Sequence, residues 1–446
     1  MKKNEKKGGR LVAGAAVANI TPKDSQFLYG YPHVERYSTG IHDKLWASSL
    51  YLSDGKTEVI FIANDIIWVS KDVVANARKA ISDKTGIKPE NIMITATHTH
   101  SGPHTVDYVS NQADPAVPKA DQNYVDLMKD GIIQAGIEAY QNAQPAKLGL
   151  EIADDTGVGT NRRDPNGPAD HNVPVLLVKN AETDANIACM LVCSMHPTVM
   201  HEDSTLVSGD FPSMARKYLQ ENVLGNQCPV VYHMGPSGNQ SPRHVTKSNT
   251  FEEAERLGVV LGKAVEKVIG QIDFKNDLEL SIKVGLIEEL PKKVFPDVKD
   301  AEENLKKAVE KLENLRNSNA PKQETRTAEC DWFGAEETLT LSKAAANGLL
   351  EGGHSSSLPA EIQVIKIGQW NFVGWQGEVF IEYPLAVKQK AENTFVISCA
   401  NGEMQGYLVT KEAAEEGGYE ASNSLFSYEA GEIFVNKTIE ILDELK

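Results

Sequence analysis

Three of the chain's eleven histidines crowd into IMITATHTHSGPH, residues 92–104. His98, His100 and His104 stand at even spacing just after a β-branched apolar run. Residues two apart on extended backbone project to one face, so His98 and His100 can enter one site. Imidazole serves both as a metal ligand and as a proton carrier near neutral pH. A polar strand end with hydrogen-bonded histidines accounts for the same spacing equally well. A second apolar run, IACMLVCSM, leads straight into His196, and His201 follows beside Glu202 and Asp203. His196 therefore emerges at the mouth of a buried strand, whereas His201 reads as a surface group or an outer support. A third run opens into HMGPSGNQSPRH, which sets Ser241 in a tight turn. Such a seryl hydroxyl can be a nucleophile, a transition-state donor or only a turn residue; the segment is not a G-x-S-x-G elbow. A carboxylate, Glu378, follows Gly377 in FVGWQGEVFIEY. Two histidines and one carboxylate form a familiar catalytic-zinc ligand set with one open position.

These residues sit at the ends of short apolar runs that read as strands: 58–65, 91–98, 147–152, 173–178, 187–195, 229–235, 278–287, 362–375 and 395–400. Turn residues at their ends and β-branched content support the reading. Amphipathic stretches predict helices over 71–84, 122–143, 211–223, 251–272, 300–318 and 432–446. In the helix near 305, Leu305, Val309, Leu312 and Leu315 make one narrow stripe, as in a surface helix packed on one face. The alternation predicts an α/β fold, a mixed β-sheet core flanked by helices. The expectation is one domain over 1–446, with a polar excursion around 317–330.

Composition narrows the function. A formal charge of −17 disfavours nucleic acid and anionic membrane surfaces as partners. No apolar run is long enough to span a bilayer. The lysine-rich start lacks a continuous apolar segment, because Gly8, Gly9, Arg10 and Gly14 interrupt it. LVAGAAVANI reads instead as a first strand, and a cytoplasmic location is the expectation. Five cysteines without a regular framework suit a reducing compartment, with Cys189 and Cys193 as small buried hydrophobes.

Taken together, the motifs resemble the catalytic domain of the neutral/alkaline non-lysosomal ceramidases, zinc-dependent amidases. GAAVANITP, Gly40-Ile41-His42, THTHSGP, NRR, SMHPTVM, SGDFPSMA, GNQSPR, QGEVF, GYLVT and GYEAS occur in that family's order, from residue 13 to about 425. Each motif alone is weak, and the ordered set is specific. The resemblance implies that His98, His196, Glu378 and Tyr407 bind Zn2+. It further implies that His100 is the acid/base histidine, Ser241 the active-site serine, Arg162 an arginine near the substrate, and Tyr419 a second active-site tyrosine. Several features depart from the family pattern. The serine loop reads GNQSPR, His104 follows the SGP turn, no export signal is evident, and no immunoglobulin-like segment follows Lys446. The expectation is therefore a zinc amidohydrolase acting on a short or polar N-acyl compound in preference to long-chain ceramide, without stable membrane anchoring. A polar ester or sugar-derived substrate is the alternative, and a noncatalytic binding protein of the same fold is the second. Oligomeric state is left open.

Overall fold

The computed structural model describes residues 11–31 and 33–445. The reading of Met1–Arg10 as something other than a signal lies outside the described residues, as do Pro32 and Lys446. One large mixed sheet is built from β1 (Val12–Asn19), β2 (Trp46–Ser53), β3 (Glu58–Asn64), β4 (Ile92–Ala96), β5 (Gln144–Asp154), β6 (Asn172–Asn180), β7 (Asn186–Cys193) and β8 (Val230–Met234). Their spatial order is β8-β7-β6-β5-β1-β2-β3-β4. The β8/β7 and β3/β4 pairs are parallel; the pairs between them are antiparallel. A second sheet contains β9 (Leu280–Ile287), β10 (Ala360–Ile367), β11 (Trp370–Gly374) and β12 (Thr394–Ile397), side by side in that order.

Side-chain alternation explains the layers. In β3, Ile60 and Ile62 join a core with α1 (Lys71–Thr85) and α2 (Gln122–Gln141). Val59, Phe61 and Ala63 point the other way and meet Ile365, Phe372 and Phe395 of the second sheet. The same alternation in β7 sends Cys189, Leu191 and Cys193 toward α3 (Asp210–Leu219) and α4 (Phe251–Ile269), while Met190 and Val192 face the second sheet. The far side of the second sheet is closed by the helix Glu429–Glu444, where Trp375 packs on Phe434. Helix, sheet, sheet and helix thus stack with three apolar seams between them.

The large sheet curls until its edges approach. Thr95 Oγ1 of β4 lies 2.8 Å from His233 Nδ1 of β8, although 138 residues separate them. This closure brings the segments following β4, β7 and β8 to one place.

Most expected elements are present, with several differences, among them the unpredicted helices Leu350–Ser357 and Glu382–Lys390. The run 362–375 is a hairpin of β10 and β11 rather than one strand, because Gly368 turns the chain at φ 58°. β2 was not predicted. The polar excursion is the tip of a helical hairpin: α5 (Val298–Asn317) packs along α6 (Lys322–Ala346), which begins within it. Within α5, Leu312 is buried and Leu305, Val309 and Leu315 are half-buried, as the stripe predicted. All five cysteines are free and buried. No helix of the described residues is long and apolar enough to cross a membrane.

Candidate active site

β4 stops at Ala96, so His98 and His100 are not held by strand alternation as the sequence suggested. His98 takes a left-handed backbone, φ 64°, beyond the strand end. Its ring is fixed by Nδ1–H donating to the Ile67 carbonyl at 3.0 Å. His196, three residues past β7, is fixed likewise, donating from Nδ1 to the Ser237 carbonyl at 2.6 Å. A carbonyl only accepts, so both imidazoles carry their proton on Nδ1 and turn an Nε2 lone pair inward. The loop after His196 is itself clamped, since Asp210 Oδ2 accepts from the backbone N–H groups of Val199 and Met200, both at 3.0 Å. His100 is held through its backbone, where buried Arg36 donates to its carbonyl oxygen at 2.5 Å.

Glu378 comes from the opposite wall. It starts a short parallel ladder in which it pairs in register with Tyr407, so both side chains leave the same rung. Glu378 Oε2 lies 3.0 Å from His196 Nε2 and 3.4 Å from His98 Nε2. The ring centroids of His98 and His196 are 4.8 Å apart, and that of His100 lies 5.0 and 5.6 Å from them. Inward ligand atoms of His98, His100 and His196 fall within 4.8 Å of one another.

The electrostatics of this cluster are incomplete without a cation. Among the described residues, buried His98 Nε2, His196 Nε2 and Glu378 Oε2 meet no hydrogen-bond partner of good geometry, nor does either ring nitrogen of His100. His98, His196 and Glu378 are 1%, 0% and 7% exposed. Two lone-pair nitrogens and a carboxylate oxygen converging in a dry site repel one another unless a positive centre sits between them. Burial, and after it the Arg162 charge, lowers the His196 pKa to about 4. Burial, then neighbouring His98 and His196, carries His100 well below its usual range. Burial pushes the Glu378 carboxyl up, but His98 and His196 outweigh it and hold the group well below the carboxylate range. Neutral imidazoles beside a carboxylate are the protonation states a divalent metal requires, so the donor set fits one.

Around the cluster stand the remaining expected residues. Arg162 is buried; its Nε donates to Glu420 Oε1 at 2.7 Å, and its Nη2 has no partner. Its guanidinium lies 5.5 Å over the Tyr407 ring, whose centroid is 5.8 Å from that of Tyr419. Burial drives both phenols above their ordinary pKa. Ser241 pairs with Thr160 in a two-residue ladder, and its Oγ accepts from Arg243 N at 3.3 Å. His100, Arg162, Ser241, Tyr407 and Tyr419 all line one cleft. A second, narrower cavity reaches His98, His100 and Glu378 from the side of Trp68 and Tyr108.

Two further histidines stand outside the cluster. His104 turns away, bonded to the Pro118 and Val106 carbonyls at 3.0 and 2.6 Å and stacked on Tyr29. His201 is no surface group, because it lines the cleft and bonds Asn249 at 2.7 Å. Sequence reasoning missed Arg36, Asp210, Glu420 and the α6 residues Arg326, Cys330 and Phe333. Asp210 and Glu420 lie inside the quoted motifs SGDFPSMA and GYEAS, which was the available signal.

With this geometry in hand, known proteins show what the chain resembles. Residues 12–230 match the family model described as neutral/alkaline non-lysosomal ceramidase, N-terminal. Neutral ceramidase B of Dictyostelium discoideum is 24% identical over 253 residues, covering 51% of this chain and 35% of that protein. The neutral ceramidase of Pseudomonas aeruginosa is 24% identical over 293 residues, 59% of this chain and 43% of that one. The matched segments thus span well under half the length of these relatives. The crystal structure of the Pseudomonas aeruginosa neutral ceramidase superimposes with a TM-score of 0.75 at 17% identity, covering 98% of this chain and 74% of that chain. A ceramidase structure complexed with C2 superimposes equally well, with a TM-score of 0.75 at 16% identity over 98% of this chain and 75% of that one. The chain thus resembles the neutral/alkaline non-lysosomal ceramidases in sequence over residues 12–230, and it shares the fold of the Pseudomonas aeruginosa enzyme over nearly its whole length.

Proposed function

We propose that this protein is a zinc-dependent amidohydrolase that cleaves an N-acyl bond, with His98, His196, Glu378 and Tyr407 as ligands. The observation that carries the reading is the convergence of three buried, unpartnered acceptors: His98 Nε2, His196 Nε2 and Glu378 Oε2. The shared register of Glu378 and Tyr407 supports the fourth ligand. The ceramidase match supports an amide as the bond cleaved. Zinc, when bound, supplies Lewis acidity and makes water acidic enough to ionise near neutral pH.

The chain's own residues supply the rest. Both ring nitrogens of His100 are unpartnered among the described residues, and its ring stands 5.0 and 5.6 Å from those of His98 and His196, so this imidazole takes a proton from water and passes it to the departing amine nitrogen. Arg162 Nη2, also unpartnered, donates to oxygen charge developing on the acyl carbon. Ser241 and Tyr419 offer hydroxyl donors along the same wall. Water contributes OH to the acyl carbon and H to the nitrogen, giving a carboxylic acid and an amine. The substrate is a water-soluble N-acyl compound, a reading supported by the cationic side chains set among the apolar lining of the cleft.

Elemental analysis of protein never exposed to chelator, with a screen of N-acyl substrates of graded chain length, tests the proposal. About one zinc per chain and amide cleavage that chelation abolishes are expected. Absence of any transition metal at neutral pH would refute it.

A further inference from the structure

The lining of the main cleft carries four cationic side chains and no carboxylate: Arg162, Arg243, Lys322 and Arg326. This is an unusual concentration in a chain with a net charge of −17. Two of the four are answered from behind. Arg162 pairs with Glu420 at 2.7 Å, and Arg326 pairs with Glu202 and Glu329 at 2.8 and 3.0 Å. The other two form no ion pair, although Glu420 also feels the Arg243 charge. Arg243 donates toward the Arg162 carbonyl at 3.5 Å and the Cys330 sulfur at 3.1 Å, and among the described residues it forms no ion pair with a carboxylate. Among the described residues Lys322 reaches only Asn249 Oδ1, at 3.4 Å. The neighbouring His201 senses the same field: burial, then Arg326, Lys322, Arg243 and Arg36, drives its pKa far down, so it stays neutral.

Position gives this charge a meaning. Arg243 is two residues from Ser241, and its backbone N–H donates to the serine Oγ. Lys322 and Arg326 stand one helical turn apart on α6, with Cys330 and Phe333 continuing the wall. The cleft thus offers an apolar strip beside two cations that lack an ion-paired carboxylate, along the same wall as His100 and Ser241. A neutral lipid amide would leave Arg243 desolvated without a partner, which is costly. One inner, unanswered guanidinium matches one carboxylate both in charge and in fork geometry.

We propose that the substrate is an amide bearing a carboxylate, of the N-acylated amino acid class, and that Arg243 and Lys322 hold that carboxylate. This rests on the amide-hydrolase reading above and specifies its substrate. Selectivity comes from opposite charge at the cleft mouth and from the penalty on any ligand that leaves Arg243 unpaired.

The test compares N-hexanoylglycine with its uncharged partner N-hexanoylglycinamide, using the zinc-loaded full chain. The carboxylate should be cleaved with kcat/KM higher by roughly tenfold or more. The ratio should fall to about one in the double variant R243Q/K322Q and recover in part in Arg243→Lys, which restores charge without the fork. Calorimetric binding of N-hexanoylglycine to the same proteins gives a readout independent of turnover. Wild type should bind it more tightly than the double variant, with the difference shrinking at high salt. Circular dichroism identifies a variant that has not folded, in which case Arg243→Lys and K322Q alone decide the point. Equal cleavage of the two amides, or binding insensitive to both substitutions, would overturn the inference while leaving the hydrolase reading intact. If neither amide is cleaved, the hydrolase reading is the one challenged, and the calorimetric comparison still decides whether the cleft is an anion site.

Discussion

Gly30 offers a sharp test of how His100 is positioned. Its backbone sits at φ 122°, a conformation closed to L side chains. A Cβ placed there would lie 2.5 Å from both Cγ and Nδ1 of His100, and 2.8 Å from its Cβ. The obstructed atoms are the root of the imidazole, which cannot swing aside as a flexible tip would. Nor can the His100 backbone retreat easily, because Arg36 grips its carbonyl at 2.5 Å. Gly30→Ala therefore adds backbone strain of about 1–3 kcal/mol and an overpacking cost of about 1–3 kcal/mol. The expected total is about 2–6 kcal/mol. If the strain is relieved by displacing His100, kcat should fall by about 10²–10⁴-fold, the usual worth of a general acid/base. Zinc content should be retained, because His100 is outside the proposed ligand set. Thermal unfolding, turnover of an N-acyl substrate and elemental analysis on one preparation separate the outcomes. Unchanged melting and turnover would refute the steric reasoning. Loss of zinc would show instead that His100 is a ligand, an arrangement its proximity to His98 and His196 also permits.

Further outcomes follow from neighbouring contacts. His196→Ala should lose metal and activity, whereas His201→Ala should keep its zinc; equal zinc in both, by elemental analysis, would disprove the second-ligand assignment. Glu420→Gln leaves the buried Arg162 guanidinium without its carboxylate and should cost about 3–5 kcal/mol in denaturant unfolding, with reduced turnover. Unchanged stability would mean that Arg162 is compensated elsewhere. The His33–Asp114 contact, 3.0 Å, should make stability pH-dependent. Burial lowers the His33 pKa, but its bond to Asp114 outweighs that and raises it. A histidine raised on folding adds stability that is complete below its unfolded pKa and disappears as pH rises through the folded value. His33→Phe should therefore destabilise more at about pH 6 than at about pH 9; equal losses at both would exclude the charged pair.

The fold was legible wherever burial imposed a clean apolar period. β3, β4, β7 and β8 were expected within a residue or two of where they lie, because each is apolar on both faces between a helix layer and the second sheet. β2 escaped because Ser48, Ser49 and Ser53 break its apolar run, though all three are buried. All of α6 escaped as well, its first turns for the opposite reason. Its residues 322–330 are polar because they face the cleft and solvent, which from sequence resembles a connecting loop.

The site divides along the same line. His98 and His196 were legible because strand ends are where a buried sheet can present polar atoms. Their convergence was not, since it depends on the sheet curling until β4 meets β8. Nor could periodicity nominate Tyr407, which reaches the cluster only through its register with Glu378. The family match over 12–230 contains His98, His100, Arg162 and His196. The cations without carboxylate partners, Arg243 and Lys322, lie beyond it, one on the serine loop and one on α6. The reacting groups are held by backbone carbonyls and short ladders, which leave little freedom to vary. The cleft wall is made of side chains on a helical hairpin, which can change without moving the histidines. A change of substrate at constant chemistry is therefore open to this fold, and under the proposal above the charge on that wall would set it.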